Sequence, residues 1–125
     1  MTQQELDELQ SKALEQFKTG KSLFGKGGAF APMLKQFLEA ALQAEMDEHL
    51  NEGQRQAGNK RNGKGTKTIK SSAGSFQIDT PQDRHSNFEP ELVKKRQTVL
   101  ADSLQDKIIG LYGLGMSLRD ISSHI

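Results

Sequence analysis

The chain has no cysteine and no tryptophan, one tyrosine and three prolines in 125 residues. Without cysteine there are no disulfides and no thiolate metal sites, and nothing points to an oxidising compartment. Few aromatic side chains leave little bulk to bury, and an apolar share of 34% implies a thin core. No apolar run approaches the roughly 20 residues that span a bilayer, and the start, Met1-Thr2-Gln3-Gln4-Glu5, is polar. A cytoplasmic protein with no membrane partner is expected. The length suits one small domain or two mini-modules.

The net charge of +1 conceals an asymmetry. Residues 1–50 carry five Lys against eight acids, whereas residues 51–125 carry twelve Lys or Arg against eight acids. The second half is the candidate binder of a polyanion.

Helical periodicity comes first along the chain. Leu6, Leu9, Ala13, Leu14 and Phe17 lie on one stripe of a 3.6-residue helix, with capping-box spacing at Thr2 and Glu5 and a terminating Gly20. A glycine-rich loop follows over 20–30. Its Gly25-Lys26 is followed by Gly27, so the phosphate-loop pattern fails. From Pro32 the set Leu34, Phe37, Leu38, Ala41, Leu42 and Met46 recurs every three or four residues as far as Leu50. That stripe either packs within the monomer, on the first helix, or forms a self-association surface eased by Ala40, Ala41 and Ala44. Residues 1–53 thus read as a helical assembly module.

The character changes at Gln54. Residues 54–70 combine Arg55, Lys60, Arg61, Lys64, Lys67 and Lys70 with glycines and no acid, which predicts an exposed basic arm. Overlapping it, Ile69 and then Phe76 and Ile78 alternate with polar neighbours around Ser72-Ala73-Gly74, predicting a β-hairpin over 66–81 that Pro81 ends. Residues 82–102 read as a polar linker. Over 103–125, Leu104, Ile108, Ile109, Leu111 and Tyr112 form an apolar face, Gly113 and Gly115 break it, and Ser117 caps a further segment with Leu118, Ile121 and Ile125. This is an incomplete helix-turn-helix-like pair. The fold class is mainly α with a small β-hairpin.

Catalytic chemistry is hard to find. His49, His85 and His124 are scattered, and Glu45 with His49 is a lone helical pair, more simply a surface contact than a metal site. No nucleophile stands beside a base. No resident cofactor or metal is expected. The cations are the positive signal: glycine-spaced Lys and Arg suit phosphate contacts, and Arg84, the run Lys94-Lys95-Arg96, and Arg119 extend the candidate set, against the plain alternative of a solvated face.

Several segments in register carry a resemblance. Leu23-Phe24-Gly25-Lys26, the run from Leu38 to Leu50, Asn59-Lys60-Arg61-Asn62-Gly63, Thr68-Ile69-Lys70, Pro81-Gln82-Asp83-Arg84, Phe88-Glu89-Pro90, Val93-Lys94-Lys95-Arg96-Gln97 and the run from Lys107 to Ile121 keep an order and spacing similar to the N-terminal part of Mutator-type transposases of bacterial insertion sequences. Gln82 stands where a basic residue is common, and Ser86-Asn87 where a glycine-containing turn is common. The resemblance implies double-stranded DNA as partner at terminal inverted repeats. It also implies homo-oligomers or pairing with full-length transposase, and a nucleoid-associated place in the cytoplasm. The family's Asp-Asp-Glu catalytic domain, with its divalent metal ions, is expected beyond these residues. The chain then reads as a DNA-binding and assembly segment. Alternatives are a stand-alone regulator that pairs with full-length transposase, and an inert truncated gene product.

Overall fold

The computed structural model describes residues 3–113. In order these form helix α1 (Gln3–Lys18), helix α2 (Phe30–His49), a short helix α3 (Glu52–Gln56), strands β1 (Arg61–Ser71) and β2 (Gly74–Asp83), and helix α4 (Asp102–Gly113). Helix and strand are mixed, with the strands joined as one antiparallel ribbon. The second segment of the helix-turn-helix-like pair, including Arg119, lies outside the described residues.

The strongest apolar periodicity in the sequence becomes α2, and every member of its stripe is buried: Leu34, Phe37, Leu38, Ala41, Leu42 and Met46 are 0–3% exposed. The first five pack with Ile69 and Ile78 of the ribbon, Val93, Leu100, and Ile108 of α4, while Met46 packs with Leu50 and Phe88. Each large side chain removed from water in this way contributes about 1.5–3 kcal/mol. The stripe is therefore the monomer's own core, and it faces the ribbon more than the first helix.

Helix α1 ends as its glycine requires. Gly20, at φ 74°, donates to the Phe17 carbonyl, and Lys21 donates to that of Gln16, the paired bonds of a left-handed C-terminal cap. Of the α1 stripe, however, Leu9 alone is buried among Leu9, Ala13, Leu14 and Phe17. Leu14 and Phe17 are 54% and 74% exposed. What ties α1 down is Gln16, whose amide donates to the Gly27 carbonyl at 2.7 Å and accepts from the Ala29 N–H at 2.9 Å. Gly28 closes the same loop: a Cβ there would run into the Leu23 carbonyl.

The ribbon is longer than its alternation predicts. β1 begins at Arg61, so most of the expected basic arm is strand, and the stretch before it contains α3, capped by the Asn51 side chain on the Gln54 N–H. Between Arg61 and Lys64 the register slips by one residue, with Gly63 at φ 70°. This is a bulge in which glycine takes the left-handed position. Pro81 does not end β2. It sits buried opposite Lys64, two residues before the strand's last residue, Asp83. In a two-stranded ribbon each strand has an unpaired edge, which is where proline is tolerated.

Both edges of the ribbon are covered. On the β2 side, Lys35 donates to the Gln77 carbonyl at 2.6 Å and Glu39 accepts from the Asp79 N–H at 2.7 Å. On the β1 side, Lys70 donates to the Thr98 carbonyl and accepts from the Leu100 N–H, a short parallel bridge. The stretch 82–102, expected as a linker, is thus docked, and it buries Phe88, Val93 and Leu100. The hairpin tip is fixed as well: Ala73 is fully buried, its carbonyl accepts from Gly25, and Ser72 and the Ala73 N–H reach Gln105 of α4.

Candidate nucleic-acid interface

At the open end of the ribbon, a buried polar knot positions two cations. The amide of Asn59, 2% exposed, donates to Asp83 Oδ2 at 2.8 Å and to Gln54 Oε1 at 2.9 Å, while its oxygen accepts from the N–H groups of Lys60 and His85, both at 3.0 Å. His49 Nε2 lies 3.1 Å from the same Asp83 oxygen and 2.9 Å from Asn87 Oδ1. Phe88 and Asn87 add backbone N–H donors to the Asp83 carboxylate. Burial works to raise the Asp83 pKa, but the donors outweigh it and hold the group at about 2. Every strong acceptor in the knot is satisfied, as a buried carboxylate requires.

The knot fixes backbone as much as side chains. Arg84 donates its N–H to the Lys60 carbonyl at 2.8 Å, so Lys60 and Arg84 leave the ribbon side by side, both exposed. The turn that follows contains Ser86 at φ 54°, one of the positions noted for departing from a glycine-containing pattern. Glu45 and His49 are engaged separately: the Glu45 carboxylate accepts from the N–H groups of Glu91 and Leu92. The Glu45–His49 pair is not a joint ligand set, and no three His, Asp or Glu side chains among the described residues converge on a possible metal position.

A second cationic cluster is built around Lys67. Its ammonium donates to the carbonyls of Lys94, Lys95 and Gln97 at 2.8, 3.0 and 3.3 Å, and burial lowers its pKa. Lys67 is thus a clasp that holds the 94–97 turn beside β1 and has no free donor left for phosphate. The turn it holds presents Lys94 and Arg96 to solvent.

The predicted cations separate into two groups. Arg61 is engaged by Asp47 and Gln43 of α2, Lys64 by Asp79 at 3.0 Å, Lys95 by Glu89 at 3.6 Å, and Arg55 through its Nε by the Leu50 carbonyl at 2.8 Å. Among the described residues, the side chains of Lys60, Lys70, Arg84, Lys94 and Arg96 are exposed and make no hydrogen bond or ion pair. Sequence reasoning found these residues but could not separate the groups. It missed Asn59, Asp83 and His49 as a unit, and the one available signal was Asn59 opening a run of cations.

A cleft of about 500 Å³ lies between the ribbon's open end and the 86–95 segment, with Pro81, Phe88 and Val93 on its wall and Lys67 and Lys95 at its margin. No described helix is long and apolar enough to cross a membrane.

The amino-acid sequence resembles those of known transposases. The chain is 34% identical over 122 residues to the probable transposase for insertion sequence element ISRM3-like of Sinorhizobium fredii (strain NBRC 101917 / NGR234), covering 94% of this chain and 30% of that protein. It is 33% identical, with the same coverage, to the transposase for insertion sequence element ISRM3 of Rhizobium meliloti (strain 1021). A shorter match, 35% over 72 residues, joins it to the transposase for insertion sequence element IS905 of Lactococcus lactis subsp. lactis (strain IL1403). The chain spans about 30% of the length of the first two relatives. The family model described as "Transposase, Mutator family" matches residues 1–125, and the chain belongs to that family.

Proposed function

We propose that these residues form a DNA-binding segment of an insertion-sequence transposase, acting on duplex DNA at the element's terminal inverted repeats and within the bacterial cytoplasm. The observation that carries the reading is the set of unengaged cations. Lys60 and Arg84 stand at one end of a rigid ribbon, Lys70 near the other, and Lys94 and Arg96 on a clasped turn beside it. Arg61 and Lys64, by contrast, already face acids. These five have no acid partner, and a phosphate backbone supplies one.

In this reading strand transfer belongs to parts of the transposase other than residues 3–113, since the described residues gather no carboxylate cluster. Assembly with other copies, or with full-length transposase, would use a surface other than the buried α2 stripe.

A gel-shift titration with duplex DNA at several salt concentrations tests the proposal. Five phosphate contacts give a log–log slope of roughly −4 to −5. A response flat in salt would sink it.

A further inference from the structure

One face of the β1–β2 ribbon is left unused by the core. Thr66, Thr68, Lys70, Ser75 and Gln77 are all exposed along it, with Thr68 set opposite Gln77 and Lys70 opposite Ser75. A solvated sheet face accommodates acids as readily as any polar residue. Here the acid on that face, Asp79, is tied to Lys64 at 3.0 Å, and what remains is hydroxyls, one amide and one ammonium. Such groups hydrogen-bond the edges of bases and repel no phosphate.

The face is also stiff. Its tip is buried against Gly25 and α4, its open end is knotted through Asn59 and Asp83, and both edges are capped. Strands about 4.8 Å apart, with their side chains, make a ribbon that fits a major groove about 12 Å wide. Lys94 and Arg96 are exposed on the turn that the Lys67 clasp holds, just before residues 98–100 bridge to the β1 edge.

Building on the DNA-binding proposal above, we infer that this ribbon face enters the major groove of duplex DNA, with Gln77 and Thr68 against base edges and Lys70 toward the phosphates. The ribbon then contributes sequence preference, while Lys60 and Arg84 contribute charge.

The cysteine-free sequence makes a direct test practicable. Single-cysteine variants Thr68→Cys and Gln77→Cys, with Lys12→Cys on α1 as control, are mixed with a duplex of about two helical turns. The duplex carries an activated disulfide tether on cytosine N4, a major-groove atom. Attack by a cysteine thiolate at the correct distance displaces the small thiol and joins protein to DNA. The two ribbon variants should cross-link roughly ten-fold more than the control, a ratio that corresponds to about 1.4 kcal/mol. If either exposed ribbon variant fails to melt like the parent chain, Ser75→Cys on the same face replaces it. Salt-sensitive duplex binding with ribbon yields no higher than the control overturns the groove inference and leaves the phosphate proposal standing. Absence of duplex binding by the parent chain overturns both.

Discussion

Asn59 donates to the carboxylate of Asp83 across 2.8 Å in a part of the molecule where neither side chain reaches bulk water. This bond joins the segment before β1 to the end of β2, and it makes the charge of Asp83 part of the fold. Because the folded pKa, about 2, lies below the ordinary value of 3.8, the ionised form stabilises the native state. The contribution is complete above about pH 4 and is lost as pH falls toward about 2, and it amounts to something on the order of 2 kcal/mol. Urea unfolding over that acid range should show parent stability falling relative to Asp83→Asn, which lacks the titrating group. At neutral pH the variant should be less stable than the parent. Parallel pH profiles for the two chains would contradict this account.

The Lys67 clasp makes a different prediction. Lys67→Met keeps the aliphatic stem but strips three carbonyls of their donor, at a cost of about 1–3 kcal/mol. The loss should be local. Hydrogen exchange at the Gln97 N–H, which closes the turn onto the Lys94 carbonyl, should accelerate, whereas amides in α2 should change far less. Lys67→Arg should not restore protection, because a planar guanidinium does not match three carbonyls gathered about one ammonium. Unchanged exchange at Gln97 in Lys67→Met would show that the turn holds itself.

How far the sequence revealed these features depended on distance along the chain. The α2 stripe was legible because helical periodicity is local, and Leu34 through Met46 repeat it without a break. What those residues touch was not legible, since an apolar stripe looks the same whether it meets its own ribbon or another copy. The hairpin was visible where Ile69, Phe76 and Ile78 alternate. Its extension to Arg61 and Asp83 was hidden, because Lys64 and Thr66 face solvent, Gly63 sits in a bulge, and Pro81 is a conventional strand stop. The knot was invisible for a further reason: Asn59 and His49 reach Asp83 across 24 and 34 residues. No local pattern encodes such a meeting. Cation identity could be read from composition, but whether a cation was already engaged could not.

Burial of the α2 stripe separates a core from an interface by a simple experiment. Leu38 is fully buried among ribbon and helix side chains, so Leu38→Ala should cost about 2–5 kcal/mol. If the stripe serves the monomer, the melting temperature of the parent chain should be independent of protein concentration. Leu38→Ala should lower it equally at every concentration. A dependence on concentration in the parent that Leu38→Ala abolishes would return the stripe to an intermolecular role.

The division of the cations yields the sharpest test of the DNA-binding reading. Lys60 and Arg84 are held side by side by the Arg84 N–H on the Lys60 carbonyl, and neither side chain has a partner to give up. Each therefore releases counterions when it meets phosphate, and Lys60→Gln with Arg84→Gln together should flatten the log–log salt slope by roughly 2. Arg61 and Lys64 lie on the same strand and carry the same charge, but Asp47 and Asp79 already engage them. Contact with DNA would require those exposed pairs to break or to keep their acids near the phosphates. Arg61→Gln with Lys64→Gln should accordingly change the slope much less than the Lys60 and Arg84 pair. Affinities measured at several salt concentrations for the three chains decide the matter. Equal slope changes for both pairs would mean that total charge governs binding and that the engagement seen in the fold has no bearing on it.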